Sequence, residues 1–234
     1  MQRIIIIGAT SGIGRALAKF YAETGNRVGI AGRREELLES LCAERPDRFV
    51  SKRLDVTEID TVSEKLDELT DDLGGLDLLV ISSGTGELNT TLDFGIERPT
   101  LETNVLGFTA VADWAYRYFE KRESGHLVGI TSIAALLGEA AAPAYSATKA
   151  FQVNYLEALR SRAKKGSGKI AVTELRPGFV DTDMAKGDGK FWVAPVEKAA
   201  NQIARAIQKR RKIAYITKRW WLIGLVLRLL KIFG

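Results

Sequence analysis

Short runs of almost uniformly apolar residues alternate along the chain with longer stretches in which apolar positions return every third or fourth residue. The short runs fall at residues 3–7, 27–31, 48–54, 76–81, 126–131, 169–175 and 212–217. They are rich in Ile, Val and Leu, and most are apolar at every position rather than every second one, the pattern of strands buried on both faces of a parallel sheet. The amphipathic stretches at 12–23, 34–43, 58–72, 102–121, 145–163 and 196–208 are long enough to carry the chain back between parallel strands, and right-handed crossovers place them on both faces. The pattern predicts an α/β domain over residues 1–218 with a doubly wound, mostly parallel, seven-stranded sheet. Residues 82–99 and 179–195 read as irregular, and both directly follow strands, where open α/β sheets collect their ligand-binding loops.

Composition narrows the class. At 46% apolar and 27% charged residues, 234 residues suffice for one well-packed core under a soluble surface, which excludes a disordered chain. The 34 Lys and Arg outnumber the 29 Asp and Glu to give a net charge of +5, with basic residues crowded between 209 and 231. That balance tolerates anionic partners without demanding nucleic acid, and none is expected. Cys42 stands alone and cannot form an intramolecular disulfide, and residues 1–7 lack the pattern of a cleavable signal, so the expected compartment is the cytoplasm. Cys42 reads as a packing residue of an amphipathic helix. His126, the one histidine, has no Cys, Asp or Glu cluster around it; it reads as structural, and no metal site is expected.

The first strand is followed by Gly8-Ala9-Thr10-Ser11-Gly12-Ile13-Gly14 and then by a helix. Glycines at a first strand-to-helix junction let the backbone approach a pyrophosphate, whose charge rests on amides at the helix N-terminus; this is the dinucleotide site of a Rossmann-type sheet. After the second strand, where NAD-selective sheets place an acid for the ribose 2′-hydroxyl, the chain has Arg33-Arg34. Two guanidinium forks suit a 2′-phosphate, so the expected cofactor is NADP(H) in preference to NAD. The pair also reads as the start of a solvated helix, with Arg34 beside Glu35 and Glu36. Further on, Tyr145-Ser146-Ala147-Thr148-Lys149 opens a helix, with Ser132 thirteen residues upstream at a strand end. Tyr145 and Lys149, four residues apart, share a helix face. A neighbouring ammonium stabilises phenolate and draws the phenol from its ordinary pKa of ~10 toward working pH, and Ser132 can hydrogen-bond an oxygen on which charge develops.

The Gly-x-x-x-Gly-x-Gly loop with the ordered Ser, Tyr and Lys resembles the short-chain dehydrogenase/reductase family, over nearly the whole chain to about residue 217. The resemblance implies an oxidoreductase that passes a hydride between nicotinamide and a carbonyl/alcohol pair, with Tyr145 as acid-base residue. It implies that Lys149 also holds the nicotinamide ribose and that Asn104 completes a proton relay through water. It assigns Asp55-Val56 to the adenine, although Asp55 also reads as the N-terminal residue of the next helix. Gly84 falls at the ribose. Pro177-Gly178 lies beneath the nicotinamide, with Val180 and Thr182 on its carboxamide, and read alone also marks an ordinary turn. A homodimer through helices 102–121 and 145–163 follows from the same resemblance. The chain departs from the family at Ile7, where Thr is common, and at Ile81-Ser82-Ser83-Gly84, where Asn-Asn-Ala-Gly is usual.

Residues 219–234 form an apolar helical tail, too short to span a bilayer. Paired Trp220 and Trp221 among Lys218, Arg219, Arg228 and Lys231 suit a membrane interface; packing on the domain or a sister subunit is the equal alternative. A lipophilic substrate is one reading the tail suggests, and loops 85–99 and 184–194 shape the pocket without a decisive polar anchor. The rival function is a catalytically idle NADP(H)-binding regulator or a membrane-surface scaffold, against which the Asn104, Ser132, Tyr145 and Lys149 set argues.

Overall fold

The computed structural model describes residues 1–166, 169–184 and 191–233, with side chains of the last helix described to residue 226. Strands β1 (Arg3–Ile7), β2 (Arg27–Gly32), β3 (Phe49–Arg53), β4 (Leu78–Ile81), β5 (Gly125–Ile130), β6 (Ile170–Pro177) and β7 (Ile213–Ile216) form one parallel sheet in the order β3-β2-β1-β4-β5-β6-β7. The central strand shows why the sheet must be covered twice. Ile4 and Ile6 join a core with helices α1 (Gly12–Glu23), α2 (Glu35–Glu44) and α7 (Val196–Gln208), while Ile5 and Ile7 join another with α3 (Ile59–Leu73), α5 (Phe108–Lys121) and α6 (Pro143–Lys165). Successive strand residues point to opposite faces, so a run of four buried isoleucines needs a helical layer on each side. The doubly wound, seven-stranded expectation holds, and the sheet is parallel throughout.

The chain between β4 and β5 departs from expectation. Residues 82–99, read as irregular, contain helix α4 (Phe94–Leu101), whose N-cap Asp93 accepts a hydrogen bond from the Gly95 N–H at 2.7 Å. Pro99, the last residue of the stretch read as irregular, lies inside α4. The chain then takes a π-helical course from Glu102 to Gly107 and runs straight into α5. Wide turns of this kind free a carbonyl from its ordinary partner and gather at functional sites.

His126 is buried on β5 as a structural residue. Thr173 spends its single O–H on the Arg211 carbonyl at 2.6 Å, so the His126 Nε2 at 2.8 Å must donate to Thr173 Oγ1. Burial, assisted by the Arg210 charge, lowers the imidazole pKa to about 4, and it stays neutral.

Helix α8 (Trp220–Phe233) ends the chain. Trp220 is buried and lies on Gly178, where any side chain would overlap its ring, and Gly224 lies against Tyr215 of β7. Trp221, Leu222, Leu225 and Val226 face solvent. One face of the helix therefore packs on its own domain, and the other is exposed. The side chains of Arg228 and Lys231 lie outside the described residues. No helix among the described residues is long and apolar enough to cross a membrane.

Candidate active site

The strand order reverses between β1 and β4, the point at which open α/β sheets form their ligand-binding crevice. The chain leaves β1 through Gly8 at φ +86°, in the left-handed region, where a side chain would come within 2.6 Å of the Ser83 backbone nitrogen after β4. A methyl on Gly14 would collide with the carbonyl oxygen of Gly8. These close approaches fold the loop so that α1 begins at the crevice. The N-cap Ser11 makes no side-chain cap hydrogen bond, leaving the first-turn N–H groups, those of Gly12 and Ile13 among them, uncapped by it for an anionic ligand. Ser83 Oγ is buried there without a partner, a polar atom that a bound nucleotide would satisfy. Thr182 reaches the same loop, since a methyl on Gly12 would sit 3.2 Å from its Cγ2. A pyrophosphate fits this cradle.

The two arginines diverge. Arg34 folds back over the loop, its Nη2 donating to Thr10 Oγ1 at 2.7 Å and to Ser11 Oγ at 2.8 Å, rather than pairing with Glu35 or Glu36. Arg33 is exposed, and its charge reaches Asp55. Burial pushes the Asp55 carboxyl up. The Thr57 N–H and Oγ–H, at 3.0 and 2.8 Å, outweigh burial together with Arg33 and Arg53, and hold the carboxyl below its ordinary range. Asp55 thus closes a turn ahead of α3, whose N-cap is Glu58. Val56 is buried against Gly107, at the end of the π-helical turn.

Beyond the crevice, β5 delivers Ser132, and the N-terminal turns of α6 deliver Tyr145 and Lys149. Pro143 at the first position of α6 needs no N–H partner, so the helix starts two residues earlier than its pattern suggested. Ser132 Oγ accepts from the Ala134 N–H at 3.1 Å and acts on the Tyr145 phenol, and Lys149 Nζ lies 5.8 Å from the Tyr145 ring centre. Burial raises the phenol pKa, and Ser132 opposes this without reversing it. The expected lowering by Lys149 is absent in the protein alone, because the ammonium is itself desolvated, which lowers its pKa to about 8. It is tied to the Ile130 carbonyl at 3.2 Å and to Gln152 Oε1 at 3.0 Å.

Asn104 sits in the π-helical turn with its side chain fully engaged. Its Oδ1 accepts from the Thr85 N–H at 2.9 Å, and its Nδ2 donates to the Thr85 carbonyl at 2.7 Å and Thr148 Oγ1 at 3.1 Å. A methyl on Gly84 would stand 3.3 Å from both Asn104 Oδ1 and Lys149 Nζ, so the loop after β4 passes over the two at once. The structure therefore gathers Asn104, Ser132, Tyr145 and Lys149 around one spot, with Gly84 above. Pro177 and Gly178 end β6 nearby, and Val180 bridges Ala194.

Four contributors escaped sequence reasoning. Gly86 lies against the Tyr145 ring, where a side chain would overlap it. Its signal was a second glycine two residues after Gly84. Asn89, buried, bonds its N–H to the Ala141 carbonyl at 2.7 Å and so ties the loop after β4 to the segment before α6. Gln152 left a trace as a polar residue on the inner face of α6. Trp220, read only as tail, joins Phe179, Phe191 and Trp192 in an aromatic group with ring centres 5.1–6.1 Å apart. Residues 185–190 of the expected pocket loop 184–194 lie outside the described residues.

A parallel sheet with this glycine cradle at its switch point defines a dinucleotide-binding α/β protein, and the side chains beside it are those of proton-transfer chemistry. Residues 2–191 match the family model for short chain dehydrogenases, and the chain belongs to that family of cofactor-dependent oxidoreductases. It is 38% identical over 185 residues to an uncharacterized oxidoreductase of Myxococcus xanthus, covering 77% of this chain and 72% of the relative. It is 30% identical over 230 residues to an uncharacterized oxidoreductase of Mycobacterium tuberculosis, covering 94% and 89%. Among solved structures, serine dehydrogenase complexed with NADP+ superposes with a TM-score of 0.79 at 25% identity, covering 87% of this chain and 88% of that one.

Proposed function

We propose that the protein is an NADP(H)-dependent oxidoreductase that interconverts a carbonyl and a secondary alcohol on a small-molecule substrate, with Asn104, Ser132, Tyr145 and Lys149 as its catalytic set. The observation that carries this reading is the buried Lys149 ammonium, 5.8 Å from the Tyr145 ring centre, with Gly84 closing over both Lys149 Nζ and Asn104 Oδ1. Bound NADPH supplies the hydride. Ser132 orients the substrate oxygen, and Tyr145 gives that oxygen its proton in reduction and takes it back in oxidation. Lys149 stabilises the phenolate left behind. A phenol kept protonated by burial is ready for the reductive direction.

Gly8, Thr10, Ser11, Gly12, Ile13 and Gly14 would hold the pyrophosphate, Asp55 and Val56 the adenine, and Gly84, Tyr145 and Lys149 the nicotinamide ribose. Pro177, Gly178, Val180 and Thr182 would hold the carboxamide. Arg33 and Arg34 give the preference for the 2′-phosphate, in keeping with the NADP+ in the similar serine dehydrogenase. A panel of carbonyl compounds followed by NADPH absorbance, run beside NADH, tests this. NADPH is expected to give the higher kcat/KM, and the double variant Arg33→Ala, Arg34→Ala to erode the preference by about tenfold or more, since charged hydrogen bonds are worth ~1.5–3 kcal/mol each. Equal use of NADH by the unmodified protein would refute the preference.

Residues 1–218 form the catalytic domain in this reading, and residues 219–234 a tail that places a cytoplasmic homodimer on membrane surfaces, where a lipophilic substrate would be at hand. The exposed Trp221, Leu222, Leu225 and Val226 support the tail contact. The exposed Leu106 and Phe151, from the π-helical turn and α6, support the dimer. In sedimentation the full chain is expected to run as a dimer and to pellet with anionic vesicles, and the chain lacking 219–234 to stay in solution. A monomer, or pelleting that survives the deletion, contradicts this part.

A further inference from the structure

The π-helical turn at Glu102–Gly107 has a specific consequence. The Phe108 N–H bonds to the Thr103 carbonyl, five residues back, so the Asn104 carbonyl is released from the partner that an ordinary α-turn would give it. The Gln152 Nε2 takes that carbonyl at 2.9 Å, and the Gln152 Oε1 accepts from Lys149 Nζ at 3.0 Å. Gln152 is 0% exposed, and both ends of its amide are engaged by residues of the catalytic set. The Asn104 side chain is occupied with Thr85 and Thr148, so the main-chain carbonyl is the Asn104 group linked to Lys149, and the amide makes the link.

We propose that Gln152 is a positioning residue of the active site: its buried amide joins the Lys149 ammonium directly to the Asn104 carbonyl, fixing the charge beside Tyr145 without neutralising it and taking the place of a connecting water. The inference rests on the reading of Tyr145 and Lys149 above, and adds two consequences to it. An ammonium has three donors. Two are held by Ile130 and Gln152, both uncharged acceptors, which leaves one for the crevice side, where Gly84 and the Tyr145 ring lie.

The second consequence concerns proton supply. A water between Lys149 and Asn104 could accept one proton while releasing another. An amide would have to take a proton on Oε1 and release one from Nε2, ending as the unfavourable imidic acid tautomer. The inner route is therefore closed. The proton that Tyr145 gives to a substrate oxygen is replaced from the crevice, through Lys149 or through solvent entering there.

The charge environment decides how the idea is tested. Around Lys149 stand Tyr145 and Gln152 from α6, Ser132 and the Ile130 carbonyl from the end of β5, Asn104 from the π-helical turn, and Gly84 from the loop after β4. None of these is an anion, and Glu87, just beyond Gly86 on that loop, is exposed. With no carboxylate against the ammonium among the described residues, burial lowers the lysine pKa to about 8. Gln152→Glu, nearly isosteric, would put a carboxylate against the ammonium. Gln152→Met would keep the packing and remove the acceptor.

The experiment is an NMR titration of the Lys149 ε-methylene in full-length protein carrying 13C-lysine, assigned with Lys149→Arg and run without nucleotide. Lys149 is expected to titrate about one unit or more higher in Gln152→Glu, because an opposite charge favours the charged form. It should titrate lower in Gln152→Met, where burial acts with one acceptor fewer. Once a substrate is in hand, the basic limb of the kcat/KM profile for reduction should move up in Gln152→Glu. A purely structural Gln152 would lower Tm and leave the titration in place, and an unmoved Lys149 in either folded variant overturns the proposal. Because the titration needs neither cofactor nor substrate, an empty carbonyl panel with a shifted Lys149 would count against the enzymatic reading and leave the hold of Gln152 on the Lys149 ammonium standing.

Discussion

Tyr145→Phe is expected to lower the rate of carbonyl reduction by ~10²–10⁴-fold, the range typical of losing a positioned acid-base group. The ring itself should stay where it is. Phe keeps the face that packs on Gly86, and what is lost is the phenol hydroxyl on which Ser132 acts. NADPH binding is expected to fall only a few-fold, because the variant loses one hydroxyl at the nicotinamide ribose while the glycine loop, Arg33, Arg34, Gly84 and Lys149 are untouched. The effect should therefore fall chiefly on kcat, with Tm close to that of the unmodified protein and the dissociation constant for NADPH within a few-fold of its value there, as steady-state kinetics and a fluorescence titration would report. A loss of binding as large as the loss of rate would mean that Tyr145 serves the nucleotide alone and not the proton.

The opposite division is expected for Gly14→Ala. The added methyl would meet the carbonyl oxygen of Gly8, a backbone atom that cannot swing aside as a side chain can. Gly8 is in turn pressed on the Ser83 backbone and held by its own N–H on the Ala31 carbonyl at 2.8 Å. Relief must come from opening the loop, which also withdraws the first-turn amides of α1 from a pyrophosphate. Overpacking of this kind costs ~1–3 kcal/mol, and a backbone clash belongs at the upper end. NADPH affinity should fall by about a hundredfold or more, with a lowered Tm, and kcat at saturating NADPH should recover in part. Wild-type affinity in this variant would mean that the pyrophosphate does not lie on this loop.

How much of this was legible in the sequence depends on the kind of signal. The sheet was, because β1, β4 and β5 are apolar on both faces and such runs have few other uses. Tyr145 and Lys149 were, because helix spacing converts four residues of separation into a shared face. The π-helical turn at Asn104 was not. It is a choice of backbone hydrogen-bond partner, the Phe108 N–H on the Thr103 carbonyl, which side-chain spacing does not record. Gln152 was hidden for a related reason. Its partner is a carbonyl freed by that turn, and no side-chain pattern records a backbone acceptor. Trp220 was read with its neighbours as one amphipathic tail, whereas the fold buries it on Gly178 and leaves Trp221 outside. The charge state of Tyr145 also escaped the sequence. Proximity of Lys149 was apparent, but burial of the phenol and of the ammonium outweighs it in the protein without nucleotide.

The central claim is that the phenol of Tyr145 gives the proton that accompanies hydride transfer. It is tested most directly by single-turnover reduction at saturating NADPH, with unmodified protein and Tyr145→Phe followed side by side through the loss of nucleotide absorbance. With both proteins saturated by NADPH, the variant is expected to be at least a hundredfold slower, in line with loss of a general acid. Equal rates in the two proteins would contradict it.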